Sequence, residues 1–114
     1  MKRENLFANI PAQLPEELFT TLLETANFKL ERIVSQGQST AEDEWYDQDQ
    51  DEWVLLLQGS AELQFIEPTQ NAALNVGDWL HIPAHRKHRV CRTDAEEQTV
   101  WLALHYVAQS KKYL

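Results

Sequence analysis

Short apolar segments of strand length, separated by turn residues, are the strongest constraint on how this chain can fold. The turns include Gly-Ser at 59–60, Gly-Asp at 77–78 and Thr-Asp at 93–94, residue types that are typical of tight connections. Many short strands with short connections predict an all-β protein, built as an antiparallel sandwich or barrel. The segments cover residues 28–34, 53–58, 60–66, 72–76, 78–82, 88–92 and 98–107.

A different pattern precedes these strands. Pro15 suits the first turn of a helix, and the glutamates at 16–17 lie where the helix dipole favours negative charge. We therefore predict a helix over residues 15–27, within an N-terminal extension of residues 1–28 that precedes a β domain over residues 29–114. The apolar residues at helical spacing are Leu14, Leu18, Phe19, Leu22, Leu23 and Ala26.

Composition narrows the function classes. The 114 residues suit one structural domain, and no repeat or low-complexity linker divides them. Ten Lys and Arg against 18 Asp and Glu give a formal charge of -8, which disfavours nucleic acids and anionic membranes as partners. The single cysteine, Cys91, excludes an internal disulfide and is expected in the core. Without a signal peptide or an apolar run long enough to span a membrane, we expect a cytoplasmic protein.

Two segments around the glycines carry a resemblance to a known family. Glu52 lies seven positions before Gly59, and Pro83 lies six positions after Gly77 and five before His88. With these spacings the segments resemble the two signature motifs of the cupin superfamily, and all three glycines of the chain lie within them. The segments are residues 37–59 (GQSTAEDEWYDQDQDEWVLLLQG) and 77–92 (GDWLHIPAHRKHRVCR).

The resemblance covers roughly residues 29–107 and implies a small jelly-roll barrel that binds a small molecule in its interior. It also implies a homodimer, because such barrels are often dimeric. In a typical member three histidines and a glutamate hold Fe, Mn, Ni or Zn, and the reactions include dioxygenation, isomerisation and epimerisation. Stretches such as WYDQDQDEWVLLLQG are similar to those of small stand-alone bacterial cupins.

This sequence departs from the family pattern in its first motif. Glu52 and His88 match ligand positions of the family, but its His-x-His pair has no histidine here. The pair is replaced by either Tyr46-x-Gln48 or Trp45-x-Asp47. Because alternate residues of a strand point to the same side, one of these two pairs lines the barrel, and the sequence leaves both registers open.

Two interpretations of the remaining ligand set follow. In the first, Gln48 or Asp47 completes a Zn, Mn, Fe or Ni site with Glu52 and His88. In the second, Glu52 and His88 form a hydrogen-bonded pair in a barrel without metal. If the protein is an enzyme, this pair supplies its acid and base, since both groups titrate within a concave apolar site.

Other polar side chains have both structural and functional interpretations. Strand alternation places Arg92 on the same face as His88, where its guanidinium would bind a carboxylate or phosphate. In the alternative, Arg92 pairs with the acidic run at 42–52. We expect that run to be a solvated loop. Trp45 would offer a flat wall for a sugar or an aromatic ligand. His81 and His105 are expected to be packed histidines with satisfied hydrogen bonds; the alternative is that either replaces a missing ligand by pointing inward.

These observations predict a small cupin that binds a small polar or anionic molecule in its barrel, with an oxygenase or isomerase reaction if a divalent metal is bound. The alternative is a non-catalytic cupin that binds or senses a metabolite without metal. A third hypothesis makes the protein an interaction subunit, dimerising through the apolar stripe at 14–26 or through an exposed strand edge.

Overall fold

The computed structural model describes residues 1–108, and its regular secondary structure consists of eight β-strands. They form two antiparallel sheets, one of five strands in the order β1-β2-β8-β3-β6 and one of three strands in the order β5-β4-β7. The predicted all-β architecture is confirmed. The strands are β1 (Leu18–Glu24), β2 (Phe28–Ser35), β3 (Asp51–Gln58), β4 (Ala61–Phe65), β5 (Gln70–Leu74), β6 (Trp79–Ile82), β7 (His88–Thr93) and β8 (Thr99–Tyr106).

The predicted N-terminal helix over residues 15–27 is wrong. This segment contains β1, which pairs antiparallel with β2 and completes the backbone hydrogen bonds along that edge of the sheet. The register of the pair shifts between Thr21 and Leu23. The extra residue brings Leu18 and Leu23 to the same side of the strand although they are an odd number of positions apart. A bulged strand therefore produced the spacing that resembled a helix.

The two sheets enclose the main core. Each sheet buries its inward side chains against the other, as expected for stacked sheets. Val54 and Trp101 from the five-stranded sheet and Leu63 and Phe65 from the three-stranded sheet belong to one buried cluster. Residues 1–108 include no helix that is long and apolar enough to cross a membrane.

The N-terminal segment packs on the outer side of the five-stranded sheet. Leu14 forms a second buried cluster with Val34 of β2 and Val100 of β8. The guanidinium of Arg32, on the same side of β2, is buried and donates from Nη1 to the carbonyl oxygens of Leu6 (2.9 Å) and Ala8 (2.8 Å). These contacts hold the N-terminal segment against one end of the outer side of the five-stranded sheet.

The turn between β3 and β4 requires glycine for two reasons. Gly59 has a φ of +84°, and a Cβ at this position would lie 2.5 Å from Oγ1 and 2.8 Å from Cα of Thr99. Gly77, before β6, has a φ of +93° but no atom within 4 Å of a built Cβ. Both positions require a left-handed backbone, whereas only Gly59 is also crowded by a neighbouring strand.

We expect Gly59→Ala to destabilise the protein far more than Gly77→Ala. The backbone conformation alone costs about 1–2 kcal/mol for alanine, and crowding against Thr99 adds about 1–3 kcal/mol at position 59. Urea unfolding of both variants measures the two losses in free energy of unfolding. Equal losses would contradict the close packing of Gly59 against β8.

Candidate functional site

A cavity of about 130 Å³ lies between the two sheets and is lined mostly by apolar side chains. Val54 of β3 and Val90 of β7 are among the walls that the two sheets contribute. Outside it lies a wider space of about 610 Å³, which we call the vestibule, lined by side chains that include Lys29, Asp49 and His85. The two spaces share Phe19, Glu31, Gln48 and His105, so these residues form the boundary between them.

Four largely buried ionisable side chains converge on this cavity, which Glu17 also lines. Glu31, Glu52 and His88 are 6%, 7% and 5% exposed, and His105 is largely buried. In the register of β3 on β8, Glu52 lies directly opposite His105. The Nε2 atom of His105 is 2.9 Å from Oε1 of Glu31 and 4.0 Å from Oε2 of Glu52. His105 therefore sits between two buried carboxyl groups.

His88 is held in one orientation by its surroundings. Its backbone forms an isolated bridge with Tyr46, whose N–H donates to the carbonyl of His88 (2.8 Å). Its Nδ1 is 2.9 Å from the carbonyl oxygen of Arg86, and because a carbonyl only accepts, Nδ1 carries the proton. In the neutral ring Nε2 then keeps a free lone pair, 3.7 Å from Oε1 of Glu52.

Burial makes Glu52 a weaker acid than an exposed glutamate. Loss of solvation raises the pKa of Glu52, and the negative charge of Glu31 raises it further, while His105 and His88 act in the opposite direction. The pKa of Tyr46 is also raised, chiefly by burial. The cavity thus holds a carboxyl that keeps its proton to higher pH than usual and an imidazole beside it that can accept one.

Of the two registers considered for the first motif, the structure has Tyr46 and Gln48 at the cavity wall. The backbone bridge between Tyr46 and His88 fixes this register, and strand alternation then returns Gln48 to the same side. Together with Glu52 and His88, these residues are brought around one space. Their roles in binding or catalysis stay predictions.

The alternative pair, Trp45 and Asp47, points away from the cavity. Oδ1 of Asp47 is 2.9 Å from Nδ1 of His85 in the vestibule, and both side chains are exposed. The guanidinium of Arg89 lies 5.8 Å from the centre of the Trp45 ring. The alternative register, with Asp47 and Trp45 facing the cavity, is therefore not the one the structure has, and the roles predicted for these two residues stay predictions.

The predicted position of Arg92 beside the cavity was also wrong. The β4–β7 register passes from Glu62 opposite Arg92 to Leu63 opposite Val90, so one extra residue, Cys91, interrupts the alternation. This bulge turns Arg92 outward, where it is exposed and donates from Nη1 to Oγ of Ser60 (3.2 Å). It pairs with neither a cavity ligand nor the acidic run at 42–52.

The donor set does not fit a divalent metal. Within residues 1–108, no three His, Cys, Asp or Glu side chains are grouped in a way that would hold a metal ion. Nε2 of His105 donates its hydrogen to Glu31, and a nitrogen that carries a hydrogen has no lone pair for a metal. Glu52, His88 and the amide of Gln48 remain at the cavity, and the neutral amide is a weak ligand beside one imidazole and one carboxylate, whereas a typical catalytic site has three ligands drawn from His, Cys, Asp and Glu.

Sequence reasoning missed Glu31 as a site residue, and it favoured a packed His105 over one that replaces a missing ligand. For His105 the available signal was an imidazole directly after the apolar run 100–104 of β8. Glu31 gave no such signal, because β2 also contains Lys29, Arg32 and Ser35.

Two other residues considered from the sequence, His81 and Cys91, lie outside the cavity. His81 is half-exposed, and its Nε2, 2.7 Å from Oδ2 of Asp51, holds the pKa of that carboxyl below its usual range. Cys91 is partly buried, with Sγ 3.3 Å from the carbonyl of Glu62.

We expect Glu52→Gln to gain stability relative to the natural protein as pH rises. The raised pKa of Glu52 lets the folded state keep a proton that the unfolded chain loses near pH 4.3, about the ordinary value for glutamate. The contribution of this carboxyl to stability is therefore present below that pH and lost as pH rises through the folded pKa. Urea unfolding at about pH 4 and about pH 7 measures the difference.

Glu42→Gln is the matched control, because Glu42 is exposed on the loop before β3. Its stability difference from the natural protein should be nearly the same at both pH values. An equally flat difference for Glu52→Gln would contradict the raised pKa of the buried carboxyl.

Comparison with solved structures identifies the family. The chain is similar to a "putative mannose-6-phosphate isomerase" from Ralstonia eutropha JMP134, with a TM-score of 0.90 and 48% identity over 95% of this chain and 100% of that chain. A cupin superfamily protein from Desulfitobacterium hafniense DCB-2 matches with a TM-score of 0.75 and 22% identity, over 95% of this chain and 94% of the other. A cupin domain from Bordetella pertussis Tohama I matches with a TM-score of 0.62 and 18% identity, over 86% and 100%.

The last two matches show that the fold is shared, and in the first match nearly half of the aligned residues are also identical. No family model and no curated protein sequence matches the chain. The chain belongs to the cupin superfamily.

Proposed function

We propose that this cupin binds a small polar molecule without negative charge in the cavity between its sheets, with Glu52 and His88 as the principal contacts. One observation carries this proposal: four buried ionisable side chains surround a cavity whose remaining walls are mostly apolar. Burying such groups costs free energy unless each finds a partner. Glu31 and His105 satisfy each other, whereas Glu52 and Nε2 of His88, 3.7 Å apart, keep capacity for a ligand.

The size of the cavity limits the ligand. Its volume of about 130 Å³ is close to that of a protein cavity of about 150 Å³ that holds benzene. The inner space therefore suits a group of about six non-hydrogen atoms. A larger molecule, such as a hexose, would place its reacting end beside Glu52 and its remainder in the vestibule.

Charge disfavours an anionic ligand. Among the described residues that line either space, Lys29 is the single Lys or Arg, and its Nζ already lies 3.5 Å from Oε2 of Glu31. A phosphate or carboxylate would meet an excess of negative side chains. The carboxyl groups lining the two spaces belong to Glu17, Glu31, Glu52, Asp47 and Asp49.

A second candidate function is aldose–ketose isomerisation, favoured by the neighbouring acid and base. His88 Nε2 would remove the proton from the carbon next to the sugar carbonyl while protonated Glu52 donates a proton to the carbonyl oxygen, giving an enediol. The enediol then collapses: the proton on His88 passes to the former carbonyl carbon, and a hydroxyl proton returns to Glu52. The name of the Ralstonia protein agrees with this reaction class.

We expect mannose to bind at least as tightly as mannose 6-phosphate, because the vestibule repels the phosphate. Glu52→Gln should weaken mannose binding about tenfold or more, since a hydrogen bond to a charged or acidic partner is worth about 1.5–3 kcal/mol. Titration calorimetry measures both. Arg92→Leu is the control and should bind as the natural protein does, because Arg92 is exposed and away from the cavity. Tighter binding of the phosphate, or an unchanged affinity in Glu52→Gln, would contradict the proposal.

For the isomerase candidate, mannose incubated with the protein in D₂O should form fructose and acquire deuterium at the transferred position. His88→Gln should abolish both signals, because the amide does not accept a proton at neutral pH. Proton NMR follows the two changes. If the natural protein binds mannose but neither forms fructose nor incorporates deuterium, the isomerase candidate is rejected and the binding proposal stands.

A further inference from the structure

Phe19 is a large apolar side chain that stays exposed at the entrance to the cavity. It lies on β1, opposite Ile33 of β2, and is 55% exposed. Of the described residues that border both the cavity and the vestibule, it is the single apolar one, because the others are Glu31, Gln48 and His105. The entrance therefore presents one aromatic surface among polar groups.

The pairing of the strands explains why Phe19 is not covered. Phe19, Ile33 and Trp101 form one row across β1, β2 and β8. Trp101 is 4% exposed and Ile33 is partly buried, so exposure increases along the row toward β1. β1 is the edge strand of the larger sheet, and the three strands of the smaller sheet do not bury the Phe19 ring. The cavity therefore opens at β1.

The Phe19 ring has no aromatic or cationic partner among residues 1–108. Tyr46, the other exposed aromatic residue at the cavity, differs in this respect, because its ring centre lies 5.6 Å from that of His88. A single exposed apolar residue is common on a protein surface, and Phe7 in the N-terminal segment is another. Phe19 differs from Phe7 because it lies on the wall of a cavity, where its free face can contact a ligand.

The vestibule offers hydrogen-bonding groups on almost every side. Its other walls come from charged side chains, amides and imidazoles, so Phe19 is the single apolar side chain among the described residues that line it. A ligand larger than the inner space must extend into the vestibule, and a hexose has about twice the non-hydrogen atoms that the inner space suits. That part of the ligand then meets one apolar surface and many polar ones.

A pyranose ring has the shape that fits this arrangement. Its hydroxyl groups project from the rim of the ring, whereas C–H groups form an apolar patch on its face. The hydroxyl groups can bond to the polar walls of the vestibule, and the C–H face requires an apolar surface. The face of an aromatic ring carries partial negative charge, so it attracts the partially positive C–H groups of the sugar.

We propose that Phe19 determines the specificity of the site for a ring-shaped ligand, by stacking on the C–H face of a pyranose whose other end lies beside Glu52. This inference rests on the proposed function and names the ligand class of the same site. An open-chain polyol offers similar hydroxyl groups but no rigid C–H face. It therefore reaches Glu52 and His88 without the contribution of Phe19.

Mannose and mannitol test this proposal, because they have the same numbers of carbon and oxygen atoms and only mannose forms a ring. Titration calorimetry should show that Phe19→Leu weakens mannose binding about three- to tenfold, the effect expected for the loss of one aromatic contact. Mannitol binding should stay nearly unchanged in this variant. Phe19→Tyr keeps an aromatic ring at the position and should bind mannose about as tightly as the natural protein does.

Phe7→Leu is the matched control, since Phe7 is 50% exposed and lines neither space. It should leave both affinities unchanged. Circular dichroism should show that all three variants fold, because Phe19 and Phe7 lie outside the buried clusters.

Equal weakening of mannose and mannitol binding in Phe19→Leu, an unchanged affinity for mannose in that variant, or the same loss in Phe19→Tyr would each overturn the inference. Glu52→Gln separates it from the binding proposal. If Glu52→Gln weakens mannose binding and Phe19→Leu does not, the site binds mannose without selecting its ring. If neither substitution weakens mannose binding, both proposals are rejected.

Discussion

The register between β3 and β8 determines where the ionisable groups of the interior meet. It places Glu52 directly opposite His105, and β2, on the other side of β8, brings Glu31 to 2.9 Å from the same imidazole. From the smaller sheet, the backbone bridge to Tyr46 sets His88 at 3.7 Å from Glu52. A shift of one residue in this register would turn Glu52 to the outer side of the sheet and leave Glu31, His88 and His105 in the interior without it. The polar chemistry of the cavity therefore depends on the pairing of the strands.

Two β-bulges, in β1 and β7, change which side chains face the cavity. The register shift in β1 lets one strand direct Phe19 to the cavity and both Leu18 and Leu23 to the outer side. The shift in β7 keeps His88 at the cavity and turns Arg92 outward. With Arg92 outside and Glu52 within, the cavity lacks an arginine suited to an anion, and its character is set by carboxyl groups and imidazoles. This balance is the physical reason for favouring an uncharged polar ligand over a phosphorylated one.

The sequence was sufficient to predict the all-β fold, because the turn glycines and the spacing of Glu52 and His88 follow a recognisable motif. It was insufficient wherever the answer depended on register. Glu31 and His105 are far apart in the chain, and no local pattern says that their side chains meet. Arg92 was misplaced because strict alternation does not anticipate a bulge, and the helix was predicted because a bulged strand reproduced helical spacing. Whether Gln48 or Asp47 faces inward likewise required the bridge between Tyr46 and His88.

The inner side of the five-stranded sheet carries the buried ionisable side chains of a cavity whose other walls are mostly apolar. The central claim concerns the inner side: that Glu52 and His88 hold a small uncharged polar ligand between the sheets. A crystal structure of the protein soaked with mannose tests it most directly. The account predicts sugar density in the cavity, with oxygen atoms within hydrogen-bonding distance of the Glu52 carboxyl and Nε2 of His88. Sugar bound only on the outer surface, or a cavity closed by its own side chains, would contradict it.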